Sequence, residues 1–176
     1  VALKILYIAN DYSSYGLGYY YEDWIDFFSY EHEVIRLYPN KFNMKDLHSL
    51  NKLDLIILGH SLYDQYKKYV NPLRSYKCYL LCKFVKSKSS KIPVILFTKN
   101  DYKIDNFKRK INFSKLFGSK LIVTHTLYSV PFFDKYINTI CVPFYANPRR
   151  FFDLEEDRKV DVGFRGTLHD EWNFGR

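Results

Sequence analysis

The chain has 176 residues, 47 % apolar and 19 % aromatic, which suits one ordinary domain with a substantial core and argues against disorder. Its formal charge is +8 and its pI about 9.2, a balance that admits nucleic acid, an anionic membrane surface or acidic substrates, although lysines scattered over several predicted helices also serve simply as solvated faces. No run reaches the roughly 18 apolar residues of a membrane span, and Ala2–Ala9 reads as a strand rather than as a signal peptide.

Leu3–Ala9 is a nearly continuous apolar run, the pattern of a strand buried on both faces. It ends in Asn10-Asp11 and a loop containing Ser13, Ser14, Gly16 and Gly18. Tyr20, Trp24, Ile25 and Phe28 then recur at helical spacing. His32–Tyr38 is a second strand, stopped by Pro39-Asn40, and Met44–Leu50 a short helix. Leu53–Gly59 is a third buried strand, ending at Gly59-His60-Ser61. After the turn at Asn71-Pro72, Leu73, Tyr76, Leu80, Leu81, Phe84 and Val85 predict an amphipathic helix with Arg74, Lys77, Lys83 and Lys86 on its other face. Ile92–Thr98 is the fourth strand and runs into Lys99-Asn100-Asp101. Asp105 is placed to cap the next helix, with Phe107, Ile111 and Leu116 inward and Gly118 as its stop. Lys120–Thr124 is the fifth strand, ending at His125-Thr126. Val130–Tyr136 gives one or two helical turns with Pro131 at the start, and Asn138–Pro143 a sixth strand. Phe144–Asp157 reads as a turn-rich connection, and Val160–Phe164 as one further strand followed by Arg165-Gly166-Thr167.

Strands alternating with helices at this pitch predict an α/β fold: a Rossmann-like parallel sheet of about six or seven strands with helices on both faces. Such a sheet is complete by Pro143. The expected organisation is therefore one domain over residues 1–147, a linker over 148–159, and the start of a second domain over 160–176. A seventh strand on the same sheet, or a tail packed on it, is the alternative. Cys78, Cys82 and Cys141 are odd in number and lack C-x-x-C spacing, so they are expected to be reduced and structural, as in a cytosolic protein.

Polar clusters follow four of the strands: Asn10-Asp11, His60-Ser61, Lys99-Asn100-Asp101 and His125-Thr126. A parallel sheet brings all four to one edge, where ligands of open α/β sheets bind. Asp11, Asp101, His60 and His125 are each able to take a proton from an attacking hydroxyl, and a lysine beside them to hold an anion. Turn formation, helix capping and ordinary hydrogen bonding account equally for any one of them alone. There is no P-loop, no G-x-S-x-G, no Asp-x-Asp, no histidine pair at zinc spacing and no full G-x-G-x-x-G. These gaps argue against a nucleotide triphosphatase, a nucleophile-elbow hydrolase, a metal site and a conventional nicotinamide site. No RNA-binding aromatic signature or helix-turn-helix is evident either.

Four stretches together resemble the amino-terminal half of a GT-B glycosyltransferase, in the branch similar to spore-maturation glycosyltransferases. Lys4–Gly18 (KILYIANDYSSYGLG) is similar to the first strand and acceptor loop. Ile92–Asp101 (IPVILFTKND) sits where the family often ends an apolar strand in His-Asp; here Asn100 takes the His place. Cys141–Phe152 looks like the interdomain segment, and Val160–Leu168 like the first strand and glycine turn of the donor half. The resemblance implies an acceptor-binding domain whose parent transfers a sugar from a nucleotide-sugar donor to a hydroxyl acceptor, glycan or lipid-linked, with no metal and no cofactor beyond the donor as co-substrate. It implies Asp101 and Asp11, then His125 and His60, as candidate bases. Asn10, Ser13, Ser14, Gly16, Gly18, Lys99 and Asn100 would line the acceptor side. Gly163, Arg165, Gly166 and Thr167 would face the donor. The asparagine at position 100 counts against a retaining-type arrangement. The implied setting is cytoplasmic or peripheral to an anionic membrane, with no specific nucleic acid, and a fragment this short would be inactive alone. Two other readings fit the residues: a stand-alone Rossmann- or flavodoxin-like module binding a nucleotide or flavin at Asp11–Gly18, and a non-enzymatic basic interaction domain.

Overall fold

The computed structural model describes residues 1–11, 25–60, 62–99, 101 and 105–142. Six parallel strands form one sheet: β1 (Lys4–Ile8), β2 (Glu33–Leu37), β3 (Leu55–Leu58), β4 (Val94–Phe97), β5 (Leu121–Thr124) and β6 (Thr139–Cys141). Their order across the sheet is β2-β1-β3-β4-β5-β6. All five pairings are parallel, with Ile8 opposite both Leu37 and Leu58, and Phe97 opposite Val123. The α/β class and the parallel sheet expected from the sequence are both present. The chain reverses direction across the sheet between β1 and β3, which puts the crevice of the topological switch at their carboxyl ends.

Alternation along the strands builds two cores. Leu6, Ile8, Ile56, Leu58, Val94, Leu96 and Ile122 face one side. They meet Leu47 of α2 (Met44–Ser49), Tyr69 of α3 (Tyr66–Val70), the inward stripe of α4 (Tyr76–Lys88), Phe113 and Phe117 of α5 (Asp105–Phe117) and Phe133 of α6 (Val130–Asp134). Ile5, Tyr7, Ala9, Ile57, Phe97 and Val123 face the other side, where Ile25 and Phe28 from the helical residues 25–28 (α1) pack on them. The distribution follows from handedness. Right-handed crossovers put every connection running in the β1-to-β6 direction on one face and the reversed β1-to-β2 connection on the other.

Two local readings change. Between His60 and Asn71 the sequence suggested no element, yet Leu62–Gln65 forms a 3-10 turn that leads into α3. The stretch is short and its aromatic and basic residues give no clear period, so its burial of Leu62, Tyr63 and Tyr69 is decided by packing. The helix expected from Leu73 begins at Tyr76, because Ser75 caps it by accepting the Cys78 amide at 3.3 Å. Leu73 and Tyr76 are consequently exposed, and the inward stripe is Cys78, Leu81, Cys82 and Val85. Cys78 and Cys82 are thus free thiols in the core, and Cys141 is a free thiol on β6; burial pushes the Cys82 thiol up to about 11. Gly118 ends α5 as expected, at φ 70°, while the Ser119 and Gly118 amides close back onto the Ser114 and Lys115 carbonyls at 2.8 and 3.2 Å.

Among the described residues no helix is long and apolar enough to cross a membrane. The expected strand at Val160–Phe164, the linker over 148–159 and the second domain from 160 lie outside the described residues.

Candidate functional site at the carboxyl edge of the sheet

The carboxyl ends of β3, β4 and β5 carry a buried polar cluster. Thr98 follows β4 and Thr124 ends β5, each one residue beyond the Phe97–Val123 pair, and both are fully buried. Their hydroxyls donate to the same Asp101 oxygen, Oδ2, that from Thr98 at 2.5 Å. The other Asp101 oxygen accepts from the Lys110 ammonium, which also donates to the Lys99 carbonyl at 2.6 Å. Asp101 and Lys110 side chains are both wholly buried. Burial draws the Lys110 ammonium below its ordinary range, and the Asp101 carboxylate and its hydrogen bond work against that. Lys110 Nζ also stands 4.8 Å from the centre of the Tyr63 ring, whose hydroxyl donates to the Lys99 carbonyl at 3.0 Å. Ser129 Oγ lies 2.9 Å from Thr124 Oγ1 and donates to the Thr126 carbonyl at 2.6 Å.

Two histidines border this cluster. Their rings lie 5.4 Å apart, and the His60 ring meets Phe97 edge-on at 6.2 Å. His60 is buried; burial first, then the charges of His125, Lys99 and Lys110, hold it down to about 3, so it is neutral at physiological pH. His125 is lowered as well, chiefly by burial. Its Nδ1–H donates to the Val142 carbonyl at 2.7 Å, which fixes the tautomer with Nε2 as the basic nitrogen. Gly59 precedes His60 where a side chain has no room: a Cβ there would lie 2.8 Å from Tyr7 Oη and 3.0 Å from Ala9 Cβ.

The end of β1 contributes a separate polar pair. Asn10 Oδ1 accepts from Gln65 Nε2 at 3.1 Å, and Asp11 pairs with Lys41, which follows β2. The Asp11 side chain keeps 21 % of its surface exposed. That ion pair raises the Lys41 ammonium. A groove of about 540 Å³ beside β2 has Arg36, Tyr38, Lys41 and Asp46 in its wall.

The structure therefore gathers His60, Lys99, Asp101 and His125 around β3–β5, with Asn10 and Asp11 on the same sheet edge at β1. Ser13, Ser14, Gly16, Gly18, Asn100, Gly163, Arg165, Gly166 and Thr167 lie outside the described residues. Lys110, Thr98, Thr124 and Tyr63 were not foreseen. Three of them had a readable signal: Lys110 lies in the inward stripe of α5 with Phe107, Ile111, Ser114 and Phe117, and the two threonines terminate neighbouring apolar runs. Among the described residues no group of three or more His, Cys, Asp or Glu side chains is placed to hold a metal ion.

Compared with known proteins, the chain matches no protein-family profile, no curated protein and no solved structure.

Proposed function

We propose that this domain is the acceptor-binding half of a metal-independent GT-B glycosyltransferase. The observation that carries the reading is the convergence of Asn10, Asp11, His60, Lys99, Asp101 and His125 at the carboxyl edge of one parallel sheet. In the proposed reaction an acceptor hydroxyl oxygen attacks the anomeric carbon of a nucleotide-linked sugar. The carbon–oxygen bond to the phosphate breaks, the nucleotide leaves with that electron pair, and the hydroxyl proton passes to a base on this domain. Donor contacts would come largely from the second domain that the resemblance implies from residue 160. Lysines unopposed by acids along α4 (Lys77, Lys83, Lys86 and Lys88) would suit an acceptor held at an anionic membrane surface.

The geometry ranks the candidate bases differently from the motif. Asp101 has no exposed surface and both oxygens are engaged, so its fit is as a positioning residue that ties β4 to β5. Asp11, partly exposed, and His125, held as the Nδ1–H tautomer, fit proton acceptance better. In the full-length enzyme Asp11→Asn or His125→Gln should lower turnover about a hundredfold, the scale of a lost general base, with little change in melting temperature. Asp101→Asn should instead lower the melting temperature first, because removing one member of a buried ion pair costs about 3–5 kcal/mol. Full turnover in both Asp11→Asn and His125→Gln would reject the assignment of the base.

The strand order favours a second reading. The order β2-β1-β3-β4-β5 is that of flavodoxin-like sheets, which hold a flavin nucleotide at the β1/β3 switch point. A thermal-shift panel separates the two. Stabilisation by flavin mononucleotide or a nicotinamide dinucleotide supports the cofactor module; stabilisation by glycosides alone supports the acceptor domain.

A further inference from the structure

The positive charge of the chain is concentrated in one place. Residues 65–91, which carry α3 and α4 between β3 and β4, hold eight lysines and arginines and no acid. The rest of the chain has 19 basic and 19 acidic residues, so the formal +8 is the charge of this one connection. The acid just before it, Asp64, pairs with Arg109 of α5 at 3.7 Å. Within the connection Lys67, Arg74, Lys77, Lys83 and Lys86 are exposed. Apolar surface lies among these charges. Leu73 exposes 95 % of its surface, Tyr76 64 % and Val70 39 %. Leu73 is held out on a turn before the Ser75 cap: its amide donates to Asn71 Oδ1 at 2.9 Å, and the Arg74 amide to the Asn71 carbonyl at 3.1 Å. Tyr76, Tyr79, Lys83 and Lys86 then follow at helical spacing along one side of α4. The last three border, with Val70 and Leu116, a hollow of about 400 Å³ between α3, α4 and α5.

We propose that this face of α3 and α4 docks on an anionic lipid bilayer, with Leu73 and Tyr76 entering the headgroup layer and Lys67, Arg74, Lys77 and Lys83 meeting lipid phosphates. A cluster of basic residues answers any polyanion. An exposed leucine does not: against a phosphate backbone it gains nothing, whereas at the headgroup boundary its apolar surface leaves water. Tyr76 suits the same depth, with its ring toward the acyl chains and its hydroxyl in the headgroups. The absence of acids over 65–91 leaves nothing on the connection to repel the bilayer. The Lys77 ammonium donates to the Phe42 carbonyl at 3.2 Å, which ties the start of α4 to the loop after β2. Docking therefore brings the carboxyl edge of the sheet toward the bilayer. The proposal deepens the glycosyltransferase reading, on which its purpose rests, but vesicle binding is read without sugar transfer, so the two fail separately.

The test is sedimentation of the 176-residue chain with phosphatidylcholine vesicles, with and without phosphatidylglycerol. The expected result is binding to the anionic vesicles alone, weakening as salt rises. Lys67→Gln/Lys83→Gln should weaken it about thirtyfold, the scale of two lysines at an anionic surface. Lys108→Gln/Lys120→Gln, exposed lysines outside the connection, should weaken it only slightly. Leu73→Ser/Tyr76→Ser should lose about tenfold or more at unchanged charge, and its melting temperature should hold, since both side chains are exposed. No binding to anionic vesicles at low salt would overturn the proposal. So would equal losses in the two lysine pairs, or full binding by Leu73→Ser/Tyr76→Ser, because either would make adsorption a matter of net charge. Tighter binding to a single-stranded RNA oligonucleotide, unchanged in Leu73→Ser/Tyr76→Ser, would overturn it too and assign the face to nucleic acid.

Discussion

His60 is a titratable ring held neutral inside the sheet edge, and this gives the protein a specific acid sensitivity. Its folded pKa is about 3 against an ordinary 6.5. Below pH 6.5 the unfolded chain therefore binds a proton that the folded chain refuses. Stability is complete above about pH 6.5 and falls as pH drops toward 3, at up to ~1.4 kcal/mol per pH unit for one such group. His125 is shifted the same way and adds to the slope. Urea midpoints at pH 7.5, 5.5 and 4.5 should show His60→Leu losing less stability over this range than the wild type. Equal pH dependence in the two proteins would mean that His60 is not the titrating group. The same scale explains what the sequence hid about Asp101. A carboxylate after a strand reads as a turn former or a base, and only the threonine hydroxyls and Lys110 closing around it reveal a fixed anchor.

At the scale of elements, the helices are placed by their ends as much as by their faces. α4 starts where Ser75 offers a cap, not where the first apolar residue occurs. α5 stops where Gly118 turns left-handed beneath the end of α4: a Cβ at Gly118 would lie 2.3 Å from Ser89 Oγ and 2.8 Å from Ser89 Cβ. Gly118→Ala thus meets two costs, the left-handed backbone at about 1–2 kcal/mol and the collision with Ser89. Denaturation should show a loss of at least that size. Adding Ser89→Gly should recover the collision and leave the backbone cost, and a double variant as stable as the wild type would show that φ carries no penalty here. Gly118 was legible as a stop because α5 has a clean inward stripe before it. α3 was not legible, because five helical residues leave too little pattern to read.

For the whole molecule, β1, β3, β4 and β5 are paired on both sides, while β2 and β6 have one described neighbour each. Amide exchange should follow that order. Ile57 and Leu96 should exchange only with global unfolding, whereas amides of β2 and β6 should exchange through smaller openings. Equal protection in β6 and β3 would show that β6 is paired or covered more completely than the described residues account for.

The alternation of apolar runs with helical stripes was enough, by itself, to predict a parallel sheet of about six or seven strands, of which six are described, and the convergence of Asn10-Asp11, His60, Lys99, Asp101 and His125 on one edge. Periodicity and handedness are local properties that survive in a single sequence. The tertiary structure alone decided that Asp101 is sealed against Lys110 and that His60 and His125 face each other. Those facts depend on which side chains from distant segments meet, and no local pattern encodes the partners of a buried charge.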